Sequence, residues 1–64
     1  MFEEYGTKYD TYLVQVVTVN GNEYLMKSDG TVYTRALDLI QVKDKAIVAA
    51  VKAQAKKDGG WDVG

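Results

Sequence analysis

The chain has 64 residues with a net charge of −1, and it contains no cysteine, histidine or proline. So short a length permits one domain, 1–64, near the lower limit for folding alone. The missing residue types exclude a disulfide, leave a structural zinc without its usual ligands and remove the common near-neutral base and thiol nucleophile, so neither an enzyme, a cofactor nor a metal site is expected.

The first ten residues, MFEEYGTKYD, are acidic and aromatic without a long apolar run. They read as neither a secretory signal nor a membrane anchor. Phe2, Tyr5 and Tyr9 are spaced by three and four, which suits a helical turn, although Gly6 and Thr7 count against one. The expectation is a loose or partner-dependent end over 1–10. Adjacent Glu3 and Glu4 on such an end read as solvated carboxylates, not as an acid–base pair.

From Tyr12 to Arg35 the chain is rich in Val, Thr and Tyr, punctuated by Asn20-Gly21 and Asp29-Gly30. Both dipeptides supply the positive φ angles of tight hairpin turns. Three antiparallel strands are predicted, at about 11–19, 22–28 and 31–35. If both turns have two-residue loops, Val19 faces Asn22, Val17 faces Tyr24 and Met26 faces Tyr33. One side of the sheet then carries Leu13, Gln15, Val17, Val19, Tyr24, Met26 and Tyr33. The other carries Tyr12, Val14, Val16, Thr18, Glu23, Leu25, Lys27, Val32 and Thr34.

The link over 36–42, ALDLIQV, suits either a short helical turn or a fourth strand, with the turn preferred. A helix is predicted over about 44–58. Asp44 is its N-cap, Gly59 its C-terminal glycine, and Lys56 and Lys57 occupy its last turn. Ile47, Val48, Val51 and Ala55 fall on one side and form the expected seam. Lys45, Lys52 and Lys56 line a second stripe that reads as a solvated face, and Ala46, Ala49, Ala50 and Ala53 a third. Beyond Gly59-Gly60, residues 60–64 are expected to be loose, to fold Trp61 back over the sheet or to offer it to a partner.

The predicted class is thus α+β, a three-stranded meander followed by one C-terminal helix. One helix covers one side of a sheet, and both sides here are substantially apolar. The aliphatic set Val14, Val16, Leu25 and Val32 is assigned to the helix. That leaves Leu13, Val17, Val19, Tyr24, Met26, Tyr33 and Trp61 as the expected partner-binding residues, because such a patch exceeds what a monomer usually exposes and its residue types are enriched at interfaces.

The order of three strands and a helix resembles the small DNA-reading domains of some phage integrases and of a class of plant transcription factors. That resemblance implies nucleic-acid binding through the sheet. Those domains place basic residues there, whereas this sheet has Lys27 and Arg35 beside Glu23 and Asp29. Charge is also uneven along the chain: two lysines against five carboxylates in 1–32 give −3, and six basic residues against four carboxylates in 33–64 give +2. Neither half is basic enough to favour phosphate contacts. The expectation is a cytoplasmic protein-interaction module, with a regulator or inhibitor of viral type as its form. It would bind itself as a homodimer or a larger protein, with no membrane and no small-molecule substrate. The alternative is a nucleic-acid-binding domain.

Overall fold

The computed structural model describes residues 1–6, 9–35 and 40–63. An antiparallel sheet of four strands is followed by one helix, an α+β architecture. The strands are β1 (Phe2–Gly6), β2 (Thr11–Val19), β3 (Asn22–Lys27) and β4 (Val32–Thr34), side by side in chain order, and the helix is α1 (Lys45–Lys57). The three predicted strands and the helix stand close to their expected bounds. β1 is new: the segment expected to be loose, or a helical turn, pairs with β2 from Phe2 opposite Gln15 to Gly6 opposite Thr11. Its sequence hides this, because FEEYG lacks the apolar alternation that marks a half-buried strand.

The two remaining hairpins differ by one residue, and that residue decides the core. Asn20 and Gly21, with φ of 52° and 81°, form the expected two-residue turn, and Val19 faces Asn22. After β3 the loop holds three residues, Ser28 to Gly30. Gly30 N–H donates to Lys27 carbonyl at 2.9 Å, Lys27 N–H donates to Thr31 carbonyl at 2.9 Å, and Gly30 has φ of 90°. This is a type I turn closed by a left-handed glycine, the usual three-residue hairpin. The Asp29 carboxylate accepts from Thr31 N–H at 2.9 Å, and hydrogen bonding to the Thr31 side chain first, then to this N–H, holds its pKa below the 3.8 of an ordinary aspartate. The extra residue moves the register, so Met26 faces Val32 and Leu25 faces Tyr33. A shift of one sends each side chain of β4 to the other side of the sheet. Val32 joins Met26, and Tyr33 leaves it.

The helix packs on the side that carries Val17, Met26 and Val32, which together with Val51 and Ala55 form the buried cluster. Val19, Tyr24, Val42, Ile47, Val48, Trp61 and Val63 pack around it. The expected helix seam therefore holds, but it meets the opposite side of the sheet from the one assigned to it. Val14 and Leu25, expected beneath the helix, are each 1% exposed on the side without one. Register flanks Val14 with Glu3 and Lys27, and Leu25 with Val16 and Tyr33. Long amphipathic side chains cover aliphatic ones in this way while keeping their charges in water. Arg35 ties the layer together. Its guanidinium meets Glu3 of β1 at 2.6 Å and Glu23 of β3 at 2.7 Å, and Tyr5 hydroxyl donates to Glu3 at 2.9 Å. Tyr5, then the two carboxylates, raise the already high pKa of Arg35. Lys27 lies 4.9 Å from the centre of the Tyr12 ring, a cation–π contact.

Asp44 caps the helix as expected, accepting from Ala46 and Ile47 N–H. At the other end Gly59 N–H donates to Lys56 carbonyl and Gly60 N–H to Ala55 carbonyl, both at 3.0 Å, a Schellman closure. The tail then turns back on the sheet. Gln15, 1% exposed, donates from Nε2 to Ala55 carbonyl at 3.1 Å and accepts Trp61 N–H on Oε1 at 3.0 Å. A side chain at Gly60 would fall on the Gln15 amide, so glycine is required there by space. Trp61 meets Phe2 edge to face, ring centres 4.9 Å apart. Of the two ends, Phe2–Gly6 is paired in the sheet and the tail is bonded to Gln15 through Trp61 N–H.

Candidate functional site

The residues expected to bind a partner are dispersed by the register and the choice of core. Val17 and Met26 are wholly buried under α1, and Val19, Tyr24 and Trp61 pack partly buried against the same cluster. Tyr33 is on the opposite side, and Leu13 lies out towards β1, 47% exposed. This side of the sheet is lined by the protein's own helix and tail, so the premise of an uncovered apolar surface is corrected. Residues 36–39 of the ambiguous link lie outside the described segments. Its end, 40–42, runs along β4: Thr34 N–H donates to Ile40 carbonyl at 2.9 Å and Val42 N–H to Val32 carbonyl at 2.8 Å.

That pairing creates a different concavity. Where 41–43 leaves β4 and turns into α1, an open groove of about 690 Å³ separates the two. Its size lies within the range of ligand and peptide pockets. Val32, Val42, Val48 and Val63 supply its apolar surface, with Thr31 and Gln41 as polar neighbours. Lys43, Lys45 and Lys52 stand round it, and among the described residues no aspartate or glutamate lines it. The Lys52 stem lies over Gly30, where a Cβ would come within 3.1 Å of its Cε. Among the described residues the ion pairs are Arg35 with Glu3 and Glu23, and Lys56 with Asp62 at 3.5 Å. The three groove lysines belong to none of them. The N-terminal end of α1 is already met by the Asp44 carboxylate, which accepts from Ala46 and Ile47 N–H, so the positive charge at the groove is that of the lysines.

The groove can therefore hold an anionic group at its rim while burying an apolar one at its floor. Among the described residues it has no acid–base pair, and no cluster of three or more His, Cys, Asp or Glu could hold a metal ion. No helix among them is long and apolar enough to cross a membrane. Sequence reasoning found Lys45 and Lys52 as a stripe but read it as solvated. The excess of basic residues in the second half was the signal, and the missing information was that 40–42 doubles back beside β4. Comparisons with protein-family models, with curated proteins and with solved structures found no match.

Proposed function

We propose that the chain is a small protein-interaction module whose groove between β4 and α1 takes an acidic segment of a partner. The observation that carries this reading is the convergence of Lys43, Lys45 and Lys52, unpaired with any carboxylate among the described residues, around a valine floor. Charges at the rim would steer the segment and fix its orientation, and burial of an apolar side chain on the valines would supply lasting affinity. Such a module suits a regulator or inhibitor that acts by occupying another protein. The sheet supports the nucleic-acid alternative poorly, because Arg35 is committed to Glu3 and Glu23.

The test is titration of the labelled protein with a peptide of alternating aspartate and leucine, followed by amide NMR. Shifts should centre on Thr31, Val42, Lys45 and Val48. Joint Lys45→Glu and Lys52→Glu substitution should weaken binding about tenfold or more, and added salt should weaken the wild type. Indifference to both, or tighter binding of a duplex oligonucleotide at the same residues, would overturn the reading.

A further inference from the structure

The two edges of the sheet are treated differently. The outer edge of β4 is closed by 40–42, whose backbone bonds run to Thr34 and Val32 and whose Gln41 bridges to Tyr33. The outer edge of β1 has no neighbour among the described residues. Its polarity follows from one bond. Val16 N–H donates to Met1 carbonyl at 2.8 Å, so Met1 opposite Val16 is a hydrogen-bonded pair. Such pairs alternate along an antiparallel ladder, so Glu3 and Tyr5 bond inward to β2. The N–H and C=O groups of Phe2 and Glu4 point outward. A strand edge of this kind is normally blunted by proline, lysine or a bulge, and β1 has none of the three.

The side chains beside that edge have a definite chemistry. Phe2 and Glu4 both stand on the helix side of the sheet, opposite Gln15 and Leu13. Phe2 is 43% exposed and Leu13 47%, although Phe2 is held edge-on against Trp61. Glu4 is exposed and takes part in no ion pair among the described residues, whereas its neighbour Glu3 is bound by Arg35. The edge thus offers an ordered apolar spot and an unneutralised carboxylate, two residues apart on one side.

We propose that β1 takes an extended segment of a partner protein as a fifth strand, and that the segment carries a basic side chain opposite Glu4 and an apolar one opposite Phe2. The backbone ladder supplies affinity that is indifferent to sequence, and the two side chains select the register. A second copy of this chain fits less well. Full antiparallel overlap of two β1 strands places Glu4 opposite Glu4, and like charges directly opposed destabilise a pair. This edge is separate from the lysine-rimmed groove and takes ligands of the opposite charge.

The experiment uses the full chain and a blocked peptide, Thr-Thr-Lys-Thr-Val-Thr-Thr, with a control in which glutamate replaces lysine. Amide exchange and NMR shifts are read at each residue. The lysine peptide should protect the Phe2 and Glu4 amides and bind about tenfold more tightly than the control. Glu4→Lys, a surface change that keeps the β1–β2 ladder, should invert that preference. Equal binding of the two peptides, unprotected β1 amides at saturation, or shifts confined to the groove would overturn the proposal. A failure of the aspartate–leucine peptide at the groove would leave this result unaffected, so the two readings are separable.

Discussion

Gln15 is the residue on which the interior turns. Among the described residues it is the polar side chain that is buried, 1% exposed, and it meets the helix end and the tail at once. Ala55 carbonyl accepts from both Gly60 N–H and Gln15 Nε2, so its two lone pairs are used. Gln15→Leu keeps the volume roughly but strands Trp61 N–H in a half-buried place. A buried donor left without a partner costs about 1–3 kcal/mol, so the substitution should lower stability by about 2 kcal/mol. Urea unfolding followed by circular dichroism measures the loss, and an unchanged midpoint would show that water replaces the amide. In the sequence Gln15 looks like an interruption in an apolar row. Its use depends on a segment far along the chain, which no local pattern displays.

At the scale of elements, signals that act within a few residues were readable. Asn20-Gly21 made its turn, Asp44 made its cap, and the glycines after Asp58 closed the helix. Asp44→Ala removes the acceptor for Ala46 and Ile47 N–H and should cost about 1 kcal/mol. Thermal unfolding would show the loss, and exchange of the Ala46 and Ile47 amides should quicken. Asp29-Gly30 was harder, because the dipeptide suits a two-residue or a three-residue loop. Choosing the shorter loop placed Tyr33 beside Met26 and Val32 across the sheet from it, the reverse of what forms. β1 escaped notice because its pattern is set by pairing and not by burial.

For the whole molecule, the class was legible and the orientation of the sheet was not. Both of its sides are apolar enough to be a core, and the arbiter is the combination of Gln15, the tail and the loop after β3. The open side is covered by an Arg35-centred layer of charged and aromatic side chains, a solution that composition alone does not distinguish from an uncovered interface. Because Trp61 is the lone tryptophan, its emission reports the closure of the whole fold. Phe2→Ser removes the ring that Trp61 meets, and should shift that emission to longer wavelength and lower stability by about 1 kcal/mol or more. Unaltered emission would mean that the tail holds without β1.

The bond from Trp61 to Gln15 joins positions 46 apart in sequence. A domain generally folds as a unit, so the strands and the tryptophan that fastens them belong to one event. A chain cut before residue 61 would leave the Gln15 amide oxygen without the Trp61 N–H it accepts, and should unfold less sharply for want of that latch.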